Sequence, residues 1–224
     1  MDIQGILFTI AQCAPGFLLA IVVHEWSHGY VAKRFGDPTA ENSGRLTLNP
    51  SVHIDPMGTI IFPLIGVLLG WAVFGWARPV PVDSRNFKNQ RKAIFWVSFA
   101  GPLSNFILGT LSALLFAILS LYLPSDLGVY PLLLKMLNYS IFINFLLGGF
   151  NLIPLPPLDG SRMVAAFLKG ETLRLYESIQ NYTPMIFLAI IALSFMGIST
   201  IGKVLTPITL LGQKVTMLFL YILS

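Results

Sequence analysis

Residues 21–29 read Ile21-Val22-Val23-His24-Glu25-Trp26-Ser27-His28-Gly29, an HEWSH motif inside an otherwise apolar run. On a helix, His24 and His28 stand one turn apart on one face and can share a metal ion, with Glu25 beside them to take a proton from water. Each ionisable group at membrane depth costs about 2.5 to 3.5 kcal/mol on insertion scales unless it is partnered. Packing alone does not account for three of them. The stretch therefore points to a membrane-spanning helix that carries a hydrolytic metal centre.

Working outward, no charged residue lies between Asp2 and His24, and the apolar character continues to Val31 before Lys33 and Arg34 end it. That is enough for one spanning helix, with a kink expected at Pro15-Gly16. Lys33 and Arg34 mark its cytoplasmic end, so the motif lies about 7 to 15 Å inward from that end at 1.5 Å per residue. The N-terminal run lacks a positive n-region and leads straight into the motif, so a cleaved signal peptide is not expected.

The whole chain has the same character. Of 224 residues, 55% are hydrophobic and 11% charged, and the mean hydropathy is +0.75, which excludes an ordinary soluble domain. The net charge of +4 falls between apolar runs rather than on one polar face, so it reads as a topology signal and excludes nucleic-acid binding. The single Cys13 excludes an intramolecular disulfide and a cysteine-built metal site, leaving His and carboxylate as ligands.

Residues 36–58 are too rich in Gly, Pro, Asn and Asp to span, and residues 45–48 alternate like a short strand. Residues 59–77 are long enough to cross. A full crossing would put Arg78, Arg85, Lys88, Arg91 and Lys92 outside, so a re-entrant or doubled-back hairpin is favoured. Uncharged runs at 93–125 and 136–158 give helices leading outward and back inward. Residues 161–182 suit an interfacial or cytosolic helix, and stretches 184–202 and 204–223 can span or form a hairpin. The fold class is a polytopic α-helical membrane protein of about four to six transmembrane helices, with short membrane-associated strands or a re-entrant hairpin between the first and second core helices. One domain fills residues 1–224, with a catalytic core at about 5–162 and C-terminal helices at 163–224.

His24 and His28 near the inner end of one helix, and Asp159 near the inner end of another, can meet as three metal ligands with one open position. Asn151 precedes Asp159 by two helical turns, but Pro154, Pro156 and Pro157 interrupt the helix and let Asp159 turn towards the metal. Asn151 is then a candidate donor to a developing oxyanion. Taken alone, Asp159 reads equally well as a helix N-cap. His53 fits a lid, gate or hydrogen-bonding role better than ligation, Asn105 a packing hydrogen bond, and Trp71 and Trp76 interfacial anchors.

HEWSH, GRLTLNPSVHIDPMG at 44–58, GWARPVPV at 75–82, AGPLSN at 100–105 and NLIPLPPLDG at 151–160 occur in that order. Together they resemble the site-2 protease family of intramembrane zinc metalloproteases, peptidase family M50, in its compact prokaryotic branch without a PDZ or CBS domain. The resemblance implies that His24, His28 and Asp159 hold one catalytic zinc ion, that Glu25 is the base, and that Asn151 assists the tetrahedral intermediate. It also implies that residues 44–50 and 75–82 form strands near the site, to which an extended substrate could add.

The function expected is hydrolysis of peptide bonds within transmembrane segments by a zinc metalloendopeptidase in the cell membrane, near its cytoplasmic side. Its partners would be a transmembrane protein substrate and the lipid bilayer, with homo-oligomerisation left open. Water should reach the site from the cytosol past residues 36–58. The alternatives are a polytopic metal transporter, whose ligands would be strung along a path, and a catalytically idle scaffold.

Overall fold

A computed structural model of the chain describes residues 3–69, 75–183, 185, 186, 189 and 200–224. Trp71 and most of the stretch 184–202 lie outside the described residues. The described elements are α1 (Ile3–Arg34), α2 (Thr39–Asn42), α3 (Phe62–Leu69) after a π-helical turn at Pro56–Ile61, α4 (Gln90–Tyr122), α5 (Tyr130–Asn151), α6 (Asp159–Ala165), α7 (Gly170–Ser178) and α8 (Thr200–Leu223). Four of the helices, α1, α4, α5 and α8, are long and apolar enough to cross a membrane.

Local chemistry sets the ends of these helices. The Asn89 side chain accepts from the Lys92 N–H and caps α4, so the helix starts ahead of the apolar run at 93. Pro131 near the start of α5 is compatible with the first turn, which begins the helix at Tyr130 and includes Lys135. The Lys135 ammonium lies 5.0 Å from the centre of the Phe8 ring, a cation–π partner for a charge at the end of a span. Helix α1 runs through Pro15 as one element. Beside it Gly16 lets α1 approach α5, since a Cβ there would lie 3.0 Å from Ser140 Cα.

Helices α1, α4 and α5 form the centre of the bundle. Phe17, Ala20, Ile21 and Val22 of α1 pack on Ile143 of α5, and Ala113 of α4 packs with Ile141 and Phe145 of α5. Helix α8 lies against α4 and α5, where Gly149 leaves space for Ile208 and Gly212 for Phe145. At the end of α1 nearest Arg34, Ala32 packs with Phe87, Ala93 and Val97.

The strands expected at 45–48 and 75–82 are not formed; no strand occurs among the described residues. The reason lies in where the donors go. Pro79 and Pro81 have no N–H, the Arg78 N–H goes to His53 O at 2.8 Å, and the Val80 N–H goes to the Glu25 side chain. These bonds and the two prolines interrupt the run of donors that a ladder at 75–82 would need. The segment is held instead by the Arg45 guanidinium, which donates to Arg78 O and Pro79 O at 2.7 and 3.2 Å.

Beyond it, Asp37 is fully buried and accepts from the Asp83 N–H at 2.7 Å and the Asn86 amide at 2.8 Å. It also accepts from the Thr39 N–H and hydroxyl. Burial alone would raise the Asp37 pKa, but these donors outweigh it and hold the carboxyl below the usual range.

Candidate metal centre

His24 and His28 project from one face of α1, their rings edge to face with centroids 4.7 Å apart. Asp159 reaches them from the first position of α6. Its N-cap position is taken by Leu158, and no side chain caps that helix, so the N-cap reading of Asp159 does not hold. Gly160 makes the turn feasible, because a Cβ there would lie 2.3 Å from Leu152 O.

Asp159 Oδ2 lies 3.1 Å from His24 Nε2 and 3.3 Å from His28 Nε2, and one ligand atom from each residue fits within a 4.8 Å cluster. Asp159 Oδ2 is buried without a hydrogen-bond partner. Two imidazole nitrogens and a carboxylate oxygen are the donor set of a catalytic zinc site, and an orphaned buried oxygen facing them fits a cation there.

Glu25 and Asn151 face the same space. With His24, Ile21, Trp76, Leu147, Phe150 and Leu158 they line a largely apolar cavity of about 470 Å³. The Val80 N–H donates to Glu25 Oε2 at 2.8 Å. The Asn151 amide donates to Leu147 O in its own helix at 3.1 Å.

The family model described as "Peptidase family M50" matches residues 127–194, which include Asn151 and Asp159. The chain is 40% identical over 175 residues to the "Putative zinc metalloprotease YwhC" of Bacillus subtilis, covering 77% of this chain and 76% of that protein. The chain belongs to peptidase family M50. It is also 31% identical over 159 residues to the "Putative zinc metalloprotease Rip2" of Mycolicibacterium smegmatis, covering 71% of this chain and 58% of that one. With the "Zinc metalloprotease MJ0392" of Methanocaldococcus jannaschii it shares 29% over 154 residues, 68% of this chain and 33% of that one. No solved structure gives a significant match.

Three features of this M50 site escape sequence reasoning. Gly101 lies under the two imidazoles, where a Cβ would come 2.5 Å from His28 Nε2 and 2.6 Å from His24 Nε2. Asn105, read from sequence as a packing hydrogen bond, places Oδ1 2.6 Å from His24 Nδ1. Val97 O lies 2.7 Å from His28 Nδ1. The AGPLSN block holds Gly101 and Asn105 without showing the helix they face, and Val97, which acts through its backbone carbonyl, lies outside the block and carries no sequence signal.

His53 is not part of the cluster. Its ring is fully buried, with Nε2 2.8 Å from Thr47 O, and its carbonyl receives the Arg78 N–H. It ties the loop after α2 to the 75–82 segment. Trp76 does similar work, its ring filling the space over Gly58 while its carbonyl accepts from the Thr59 hydroxyl at 2.8 Å.

Proposed function

We propose that this M50 chain is an intramembrane zinc metalloendopeptidase that hydrolyses peptide bonds in transmembrane segments of other proteins, with His24, His28 and Asp159 holding one zinc ion. The observation that carries the reading is the approach of Asp159 Oδ2 to both imidazole Nε2 atoms, beside a cavity that Glu25 also lines. Zinc bound there supplies Lewis acidity, which lowers the pKa of water towards 7 and polarises a carbonyl.

Glu25 acts as general base, taking a proton from water and passing it to the leaving amine. The Val80 N–H holds one of its carboxylate oxygens and leaves the other for that transfer. Asn151, which lines the same cavity, turns its amide from Leu147 O to the oxygen on which negative charge develops. The apolar lining suits the side chains of a membrane-spanning substrate.

The motif lies at the end of α1 that carries Lys33 and Arg34, the end near which Arg45, Arg78 and Arg85 also gather, so the site is assigned to the cytoplasmic side. Water enters from that side past residues 36–58. For residues 59–77, of which 70–74 lie outside the described residues, the re-entrant reading is supported by the hydrogen bond from the Trp76 N–H to Gly58 O at 3.1 Å, which brings the two ends of the segment together. Among the described residues the His24–His28–Asp159 group is the one metal-capable cluster, which favours hydrolysis over a ligand path for transport.

The test compares membrane proteomes of cells carrying the wild-type chain or Glu25→Gln. Fragments cut within transmembrane segments should accumulate with wild type alone. Identical fragment patterns in the two strains would overturn the assignment.

A further inference from the structure

Two asparagines sit in the middle of the apolar spans with no place in the reaction described above. Asn105 of α4 and Asn144 of α5 are both fully buried. A buried primary amide in an apolar setting is costly unless its donors and acceptor are satisfied, so where these bonds go carries information. Asn105 Nδ2 donates to Ala20 O at 3.1 Å and to Asn144 Oδ1 at 3.0 Å. Asn144 Nδ2 donates to Ser140 O at 2.8 Å, and the Ser140 hydroxyl pairs with that of Ser112 at 2.9 Å. The line runs from His24 on α1 through Asn105 and Asn144 to a serine pair between α4 and α5.

From His24 to Asn144 the direction of each bond in the line is forced; only the two serine hydroxyls can exchange donor and acceptor. Ala20 O and Ser140 O are carbonyl oxygens and can only accept, so each asparagine must turn its nitrogen towards them. Asn105 Oδ1 then has to face His24 Nδ1, 2.6 Å away, and an oxygen that can only accept requires the ring to carry its hydrogen on Nδ1. In the neutral ring, the form that binds a metal, that leaves the Nε2 lone pair directed at Asp159 Oδ2 and the proposed metal position. The Val97 carbonyl imposes the same tautomer on His28.

We propose that Asn105, braced by Asn144, is a positioning residue that locks the His24 ring in the metal-binding tautomer and orientation, and so sets the affinity of the centre for zinc. Neither amide touches the ligand position; both act through His24. Gly109 allows the brace to close, since a Cβ there would lie 3.2 Å from Asn144 Cβ. The inference rests on the zinc-site reading above. Loss of an outer partner of a metal-ligating histidine typically weakens metal binding about 10- to 100-fold.

The competing explanation is that the amides only glue three helices together, and the experiment must separate the two. The full chain is purified in detergent as wild type, Asn105→Leu, Asn105→Asp, Asn144→Leu and Ser112→Ala. Zinc affinity is measured by competition with a chromophoric chelator, the cobalt(II) ligand-field spectrum is recorded, and the metal-free proteins are melted.

Asn105→Leu should weaken zinc binding about 10- to 100-fold and alter the cobalt spectrum. Asn105→Asp, which still accepts from Nδ1 but sets an oxygen against Ala20 O and Asn144 Oδ1, should recover part of the affinity that Leu loses and restore the wild-type spectrum. Asn144→Leu should give a smaller loss of a few-fold, and Ser112→Ala should bind as wild type. Wild-type affinity in folded Asn105→Leu, or a failure of Asp to recover any of what Leu loses when both metal-free proteins fold, would overturn the proposal. If Asn105→Leu does not fold, wild-type affinity in Asn144→Leu overturns it and a few-fold loss supports it. A wild-type chain that binds no zinc would sink the zinc-site reading itself, whereas binding that is equal in all variants sinks only this inference.

Discussion

The backbone N–H of Val80 donates to Oε2 of Glu25 across 2.8 Å, joining residues 55 positions apart. Replacing Glu25 by Gln keeps an oxygen that can accept this bond, so the 75–82 segment should stay in place while the base is lost. Peptide hydrolysis should fall about 10²- to 10⁴-fold, the range assigned to general base catalysis. Zinc content, measured by atomic absorption on the purified protein, should be unchanged. Loss of zinc together with activity would mean that Glu25 supports the metal rather than the proton transfer.

Gly101 should tolerate no side chain. A Cβ at this position would lie within 2.6 Å of His24 Nε2 and His24 Cε1, inside van der Waals contact, and α4 cannot retreat because Val97 and Asn105 on the same helix are bonded to the two rings. Gly101→Ala should therefore displace the imidazoles and abolish stoichiometric zinc binding. Gly128→Ala, where added atoms meet nothing within 4 Å, is the control and should bind zinc normally.

How much of this was legible in the sequence follows from the range of each signal. His24 and His28 were readable because helical periodicity alone puts positions four apart on one face. Asp159 was readable because charge placement put it at the same membrane face as the histidines. Gly101 and Asn105 stood in a visible block, but their roles depend on which face of α4 meets α1, a tertiary fact that no single-chain periodicity encodes. A strand was expected at 45–48 from alternation, and at 44–50 and 75–82 from the family resemblance. Side chains and carbonyls from elsewhere claimed the donors a ladder needs, as the Glu25–Val80 and Arg78–His53 bonds illustrate. Helix ends shifted by a few residues for a local reason, the Asn89 cap and Pro131.

Asn151 presents a different test, because its amide is bonded to Leu147 O rather than free in the cavity. If it serves the developing oxyanion, Asn151→Ala should lower kcat about 10²- to 10³-fold while changing KM little, the signature of a bond made only in the transition state. Zinc content should remain that of the wild type. A rise in KM with kcat preserved would assign Asn151 to substrate binding instead.

The last prediction concerns acid stability and starts from Asp37, whose carboxylate is buried among donors from Thr39, Asp83 and Asn86. Burial opposes ionisation, yet these hydrogen bonds prevail and hold its pKa below the ordinary carboxylate value. A group depressed in the folded state binds its proton more readily when unfolded. Its contribution is therefore fully present above the unfolded pKa and is lost as pH falls through the folded one. Asp37→Asn replaces one accepting oxygen by an NH2 group that must face a donor, so it should destabilise the chain at neutral pH by about 1 to 3 kcal/mol. In acid the wild type loses the same contribution, so the two unfolding curves should begin to approach each other at about pH 4 and converge once the pH is below the depressed folded value. Asp37 fixes the turn at 83–86, directly after the segment that places Val80 on Glu25. Hydrogen exchange at the Val80 amide should accordingly quicken in Asp37→Asn at neutral pH. Unchanged exchange would show that the Arg45 bonds to Arg78 and Pro79 suffice to hold the segment.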